Sequence, residues 1–363
     1  MKKFALDLRA LLRQSIGANL LADDGQFNRL ALALFAWQRE AVPIYGQFCE
    51  QRKVRPDAIG HWSQIPALPT GAFREFEVSS LPPGERTRVF ESSGTTSQAP
   101  SRHFHHAQSL AVYEASLLPW FERHFFGAQS PPMKLVFLTP EEAPHSSLVH
   151  MFKTVRRHCG TPDSVFTGWL QPDGSWGLNI EQTLAIVREA IGANQPIGLL
   201  GTAFSFVHLL DALQAGEKSF ALPKGSRVME TGGYKGRSRE VPKARLRAMI
   251  TRLLGVPDPN IVAEYGMSEL SSQAYDRVAA DELQPSGFFA FPPWARARII
   301  SVETGAEVES GRRGLLRVFD LANIWSVMAV QTEDLAVGYP HGFDLLGRAE
   351  RAAPRGCSLL PGP

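Results

Sequence analysis

Ile197-Gly-Leu-Leu-Gly201, a helix-period segment from Ser205 to Ala215, Arg227-Val-Met-Glu-Thr-Gly-Gly233, a second such segment from Pro242 to Leu254, and Asn260-Ile-Val-Ala-Glu-Tyr-Gly266 follow one another in that order. Short apolar runs that end in turn residues read as strands buried on both faces. The segment from Pro242 to Leu254 has proline at its start and Gly255 just past its end, as helices commonly do. Strand and helix alternating in this way predict a mostly parallel sheet with covering helices. Ligands on such sheets bind beyond the strand C-termini, so the loops after the strands are where chemistry is sought.

Upstream, Lys134-Leu-Val-Phe-Leu-Thr-Pro140 reads as a further strand, and Glu181 to Ala193, with Gly192 near its end, as a further helix. Downstream, Ala295-Arg-Ala-Arg-Ile-Ile-Ser-Val302 and Gly314-Leu-Leu-Arg-Val-Phe-Asp-Leu321 alternate apolar and polar residues around a glycine-bearing connection. That pattern predicts an antiparallel hairpin and a small β subdomain. The region up to about Phe90 reads as helices joined by proline-rich turns: Leu30 to Trp37 supplies an apolar face, and Ile65-Pro-Ala-Leu-Pro69 ends any helix there. No internal repeat or low-complexity block interrupts the chain.

With 363 residues, the chain is long enough for about two domains, or one large domain with appendages. Charged residues make up 20% and hydrophobic residues 44%, an ordinary globular mixture that argues against extended disorder or a coiled coil. Lys and Arg number 38 against 36 Asp and Glu, a net +2, which argues against a dedicated nucleic-acid binder but leaves room for a local basic patch. Cys49, Cys159 and Cys357 are too few and too scattered for a disulfide framework or a zinc site. The N-terminus meets Asp7 and Arg9 before an apolar signal-peptide run can develop. The most apolar segment, Ile197 to Leu210, is bounded by Gln195 and Asp211 and contains His208. A cytoplasmic protein with no membrane span and a reducing environment is expected.

The chain has no Walker A sequence, no G-x-G-x-x-G after a strand, no H-E-x-x-H and no G-x-S-x-G elbow. Three other segments can carry chemistry. Ser92-Ser-Gly-Thr-Thr-Ser97 offers hydroxyl and backbone N–H donors without bulk, which suits phosphate oxygens, although a plain Ser/Thr linker has the same composition. Glu264-Tyr-Gly-Met-Ser-Glu269, at the end of an expected strand, combines an aromatic face for a base, a glycine for close approach, a hydroxyl and a carboxylate able to hold Mg2+. Thr332-Glu-Asp-Leu335 places a carboxylate at an expected strand end, where it can take ribose hydroxyls or simply form a turn.

In this order the three segments resemble the adenylate-forming superfamily, whose members activate a carboxylic acid with ATP as an acyl-adenylate. Closer still, the chain resembles the acyl-protein synthetase (LuxE) branch. Phe90-Glu-Ser-Ser-Gly-Thr-Thr96 with Ser101-Arg-His103, Gly232-Gly-Tyr-Lys235, Tyr265-Gly-Met-Ser-Glu269 and Arg355-Gly-Cys-Ser-Leu359 carry that likeness, over about residues 90 to 359. The resemblance implies an α/β fold, the N-terminal domain of adenylate-forming enzymes without their usual C-terminal lid. Residues 1–346 would be the synthetase domain, helical to about residue 90, and residues 347–363 a hinge remnant and a tail carrying Cys357. It also implies that Ser92, Ser93, Gly94, Thr95 and Thr96 hold ATP phosphates and that Gly232, Gly233, Tyr265 and Gly266 frame the adenine. Ser268 would reach the α-phosphate, Glu269 would hold Mg2+, Asp334 would bind ribose and Arg348 would belong to the hinge.

Two departures bear on the loop: Ser97 stands where a glycine usually follows the threonines, and Arg102-His103 stand where many relatives have Pro-Lys. Only a short stretch follows Arg348 in this sequence, so by the resemblance the domain that normally supplies the adenylation lysine is expected to be missing. A cation is still needed where charge accumulates. Lys235 is the candidate and Arg102 its rival, against the alternative of a solvated lysine beside Arg237 and Arg239. Cys357 lies between small residues and near Arg351 and Arg355, which favours a thiolate able to take the acyl group as a thioester. In the resembled branch a C-terminal cysteine passes that group to a partner acyl reductase. Gly198, Gly201 and Phe204 are the expected acyl-binding residues, since glycines can leave room for an aliphatic tail, and are equally the marks of a buried strand-to-helix turn. The resulting reading is ATP-dependent activation of a fatty acid and transfer to Cys357. Its alternatives are release to a small thiol such as coenzyme A, or a non-catalytic nucleotide- or acyl-binding subunit.

Overall fold

The computed structural model describes residues 2–18, 23–92, 99–127, 132–232, 241–281 and 287–349. Its strands, in chain order, are β1 (Leu68–Pro69), β2 (Arg88–Glu91), β3 (Arg102–His105), β4 (Lys134–Pro140), β5 (Val165–Leu170), β6 (Trp176–Leu178) and β7 (Ile197–Thr202). They continue with β8 (Arg227–Thr231), β9 (Ile261–Tyr265), β10 (Ala274–Tyr275), β11 (Ala295–Ile300), β12 (Arg313–Asp320), β13 (Ala329–Tyr339) and β14 (Gly342–Arg348). The chain divides into two compact units, one of residues 1–120, 267–274 and 288–363, the other of residues 121–266 and 275–287.

The second unit is built on a seven-stranded sheet in the order β10-β9-β8-β7-β4-β5-β6. The pairs β4 with β7, β7 with β8 and β8 with β9 are parallel, and β5 with β6 runs antiparallel at one edge. These parallel strands are almost continuously buried and do not alternate, because helices cover both faces. The expected helices form, with ends set by capping. Thr202 Oγ1 accepts from Ser205 N (3.0 Å), so Ala203–Ala215 starts two residues earlier than expected. Asn179 caps Ile180–Gly192 in the same way, and Lys243–Leu254 ends at Gly255 with φ 69°. Leu199, Val228 and Ile261 of the sheet pack with Phe206, Leu210, Leu246 and Ile250 of these helices.

The first unit holds a five-stranded sheet, β1-β13-β12-β11 with β14 also paired to β13. Here the alternation seen in the sequence is real: β11 and β12 form an antiparallel pair, with Ala295 opposite Asp320 and Arg298 opposite Arg317. A separate hairpin of β2 and β3 pairs Glu91 with Arg102. The N-terminal helices are Lys2–Ala18, Asp24–Ala41 and Pro43–Gln51, the second capped by Asp23, whose carboxylate accepts from Gly25 N and Gln26 N. Gln38, fully buried on the second helix, donates to Asn323 O (2.7 Å) and Ile324 O (3.0 Å) and accepts from Met328 N (2.9 Å). It thereby satisfies the backbone of the turn between β12 and β13.

Gly255 requires a left-handed backbone, and a Cβ there would meet Ala221 Cα at 2.8 Å. Gly192, at the end of its own helix, has open space around it. Gly255→Ala is therefore expected to lower the unfolding free energy by at least about 1 kcal/mol, whereas Gly192→Ala is neutral or stabilising. Urea unfolding midpoints of the two variants check this, and equal midpoints would refute it.

Candidate active site

In the first unit the Ser/Thr segment is the connection of the β2–β3 hairpin. Ser92 N donates to Ser101 O (3.0 Å), and Ser101 N donates to Ser92 Oγ (2.9 Å), so the two ends of the connection are tied together. Ser93, Gly94, Thr95 and Thr96 lie outside the described residues, as do Gly233, Lys235 and Cys357. Past the tie, β3 alternates: Arg102 and Phe104 face one side, where the Arg102 guanidinium sits 5.6 Å from the Phe104 ring, while His103 and His105 face the interior. His103 Nδ1 lies 2.9 Å from the carbonyl oxygen of Ser268, and burial holds its pKa down at about 4. The ring is neutral at physiological pH, and Nδ1–H is the donor, since a carbonyl only accepts.

Ser268 and Glu269 are both buried, and Ser268 Oγ donates to Glu269 Oε2 (2.9 Å). The Glu269 carbonyl accepts from Asn323 Nδ2 (2.8 Å), whose Oδ1 takes the Ser271 hydroxyl (2.6 Å). Asp320, fully buried at the end of β12, accepts from Ser271 N (2.9 Å), Ser272 Oγ (2.8 Å) and Ala322 N (2.9 Å). Desolvation outweighs those bonds and pushes its pKa up to about 6. The Ser268–Glu269 end of the segment that the sequence singled out is thus held by Asn323 and His103, and the Ser271–Ser272 stretch just after it by Asp320; the motif itself contains none of the three. The signal for two of them is the Asp320-Leu-Ala-Asn323 turn directly after a β-period run. Gln38 carries no local signal, and His103, although part of the quoted Ser101-Arg-His103 segment, carries none for its bond to Ser268.

Asp334, expected at a strand end, lies inside β13 instead, opposite Arg348 on β14. Its Oδ1 is 3.6 Å from Arg348 Nε, and Thr332 Oγ1 donates to Leu316 O (2.8 Å) across the sheet. The polar run Thr332-Glu-Asp334 conceals a long strand because its alternate side chains are taken up by neighbouring strands.

In the second unit, β8 and β9 end side by side. Thr231 is the register partner of Glu264, and its hydroxyl donates to Glu264 Oε2. Gly232 follows with φ 70°, a backbone that side chains disfavour, and Tyr265 and Gly266 follow Glu264. Burial pushes the Glu264 carboxyl up to about 7, with Thr231 opposing the shift and Glu230 adding to it. Burial does the same to Glu230, also to about 7, opposed by Lys243 and reinforced by Asp276. Lys243 Nζ lies 3.0 Å from Asp276 Oδ2, and Arg247 binds both Asp276 and Asp258. Two interacting carboxyls that titrate near neutrality therefore stand immediately before the glycine and tyrosine expected to meet a base.

Gly198 and Gly201 are buried in β7. A Cβ at Gly198 would meet Leu135 and Phe125 within 3 Å, and one at Gly201 would meet Leu138 at 2.8 Å. The room that these glycines leave is occupied by the unit's own core. Phe204, partly exposed, packs at 4.5 Å against His208. Cys49 is buried, Cys159 is hydrogen-bonded to Glu122, and burial pushes their thiols up to about 11 and 12. Both are poor nucleophiles.

Mg2+ takes oxygen ligands and usually keeps waters and substrate phosphates in its shell. Glu269 fits as an oxygen donor: its carboxylate is buried and one oxygen is fixed by the Ser268 hydroxyl.

Compared with protein families, the sequence matches Acyl-protein synthetase, LuxE, over residues 22–360. No curated protein matches it. Among solved structures it is similar to an open conformation of 2-hydroxyisobutyryl-CoA ligase in complex with 2-HIB-AMP and CoA, with TM-score 0.66 and 13% identity over 92% of this chain and 71% of that one. The same ligase in the postadenylation state with R3-HIB-AMP gives 0.64 and 13% over 90% and 67%. ATP-bound MatB from Rhodopseudomonas palustris gives 0.51 and 16% over 74% and 49%. The chain spans about two thirds of the length of the ligase and about half of MatB. At these identities the likeness is one of fold, and the expected adenylate-forming fold is the one found.

Because the folded protein keeps the Glu230 and Glu264 protons up to about pH 7, and the unfolded chain releases them near 4.5, their contribution to stability is complete below pH 4.5 and is lost as pH rises toward 7. Glu264→Gln, which still accepts from Thr231, should flatten that decline. Urea unfolding at a series of pH values measures the slope, and a slope unchanged from wild type would show that Glu264 ionises without penalty.

Proposed function

The chain belongs to the acyl-protein synthetase family, LuxE, and has the fold of adenylate-forming enzymes; on that premise we propose that it activates a fatty acid with ATP and carries the acyl group on Cys357. The observation that carries the reading lies within one unit: the hairpin bearing the Ser/Thr segment is hydrogen-bonded through His103 to Ser268, next to the buried Glu269. A phosphate-binding loop and a metal-binding carboxylate must be neighbours for phosphoryl chemistry.

In the first step a carboxylate oxygen of the acid attacks the α-phosphorus, the bond to the β-phosphate oxygen breaks, and pyrophosphate leaves. In the second, the Cys357 thiolate attacks the acyl carbon, the bond to the AMP oxygen breaks, and AMP leaves with that electron pair. Ser92, Ser93, Gly94, Thr95 and Thr96 hold phosphate oxygens. Gly232, Gly233, Tyr265 and Gly266 frame the adenine, Ser268 reaches the α-phosphate, and Asp334 takes the ribose, with Arg348 as its neighbour. Glu269 holds Mg2+, which when bound neutralises charge on the phosphates. Lys235 supplies the cation for the adenylation transition state, with Arg102 as its rival. Of the expected acyl-binding residues, Phe204 borders the acyl path, while the space beside Gly198 and Gly201 is filled by Leu135, Leu138 and Phe125. The thioester then passes to an acyl reductase. A cytoplasmic location suits a reactive thiol, and no described helix is long and apolar enough to cross a membrane. Release to coenzyme A is the second reading, supported by the fold shared with a CoA ligase.

ATP–pyrophosphate exchange across acids of differing chain length is expected to be strongest with a fatty acid, and exchange with none would overturn the proposal. Lys235→Ala should lower exchange by about a hundredfold; full retention would remove Lys235 from the chemistry. With radiolabelled acid, the wild type should acquire an ATP-dependent, hydroxylamine-labile label that Cys357→Ser lacks. Label persisting on Cys357→Ser would exclude that thiol as sole acceptor.

A further inference from the structure

The pair Arg102-His103 occupies the strand that leaves the Ser/Thr segment, and its two side chains point to opposite faces. Arg102 carries the charge, but it is His103 that reaches the motif. We propose that His103 is a positioning residue for the nucleotide and metal site: by donating from Nδ1 to the Ser268 carbonyl, it fixes the Ser268–Glu269 peptide relative to the β2–β3 hairpin. The inference rests on the functional reading above.

The geometry supports this role on both sides of the bond. On one side His103 is only 3% exposed and wedged between the rings of His105 (4.2 Å) and Phe73 (6.4 Å), so it has little freedom to rotate. On the other side the peptide it holds is already restrained by Asn323 Nδ2 on the Glu269 carbonyl. Two successive carbonyls, Ser268 O and Glu269 O, are thus held from two different places in the sequence. The Ser268 hydroxyl and the Glu269 carboxylate, hydrogen-bonded to each other at 2.9 Å, are the groups whose position these two bonds fix. A neutral imidazole is well matched to this role, because it donates one directional bond without adding a charge that would compete with the metal ion for Glu269. Loss of the bond would leave the Ser268 carbonyl buried without its donor and let the carboxylate drift relative to the phosphate loop.

Two substitutions separate the bond from the packing. His103→Phe keeps the ring volume and loses the donor; His103→Asn loses volume but places its Nδ2 where the imidazole Nδ1 was. Binding of Mn2+–ATP to the full chain, measured by calorimetry, and thermal unfolding are read together. His103→Phe should bind Mn2+–ATP about tenfold more weakly while unfolding close to the wild-type temperature. His103→Asn should unfold at a lower temperature while binding within about twofold of wild type. If affinity instead follows stability, so that Asn is the weaker binder, His103 is a packing residue and the proposal fails. Wild-type protein that binds no Mn2+–ATP would overturn the functional reading itself, a result distinct from equal affinities in wild type and His103→Phe, which would overturn only the role of His103.

Discussion

Asp320 is a buried carboxylate at the end of β12 that accepts from two backbone amides and a hydroxyl, and the backbone of the candidate site is arranged around it. Burying an acid is costly, which is why its pKa rises to about 6 even with these partners. Such a group persists only where its partners are pre-placed. Ser271 and Ser272 come from the segment after Glu269 and Ala322 from the next turn, so the two must fold together. Asn323 and Gln38 extend the same pattern, supplying donors to the carbonyls of Glu269, Val327, Asn323 and Ile324.

The second unit meets a different constraint. Parallel strands end together on one edge of the sheet, and their C-terminal residues leave the core at the same level. Glu230 and Glu264 sit at that level without full solvation, and the charge of Glu230 adds to the upward shift of Glu264. Gly232 and Tyr265 begin the loops directly above. The side chains that fill the space beneath are those of Leu135, Leu138 and Phe125, so Gly198 and Gly201 serve close strand packing.

Both the alternation from Ile197 to Gly266 and the hairpin from Ala295 to Leu321 were legible because each rests on local periodicity: parallel strands as continuous apolar runs, antiparallel ones as alternation. The polar strand β13 was not, since Thr332 and Asp334 look like a turn until their partners Leu316 and Arg348 are in place. Of the site, the residues that would meet a nucleotide were readable as motifs, while of those that hold the motifs in place only Asp320 and Asn323 left a trace, as a turn whose partners the sequence did not identify.

Local chemistry by itself determined the α/β architecture, the hydroxyl-rich segment at Ser92, the Tyr265–Glu269 motif and the family to which the chain belongs, because each is a pattern of neighbouring residues. Only the tertiary structure decided that His103 rather than Arg102 reaches the motif, that Gln38 satisfies a turn 285 residues away, and that Glu230 and Glu264 titrate near neutrality. Which group a strand side chain meets, the satisfaction of buried backbone groups and the desolvation of a carboxyl all depend on what distant parts of the chain bring alongside, and none of these leaves a mark in local sequence.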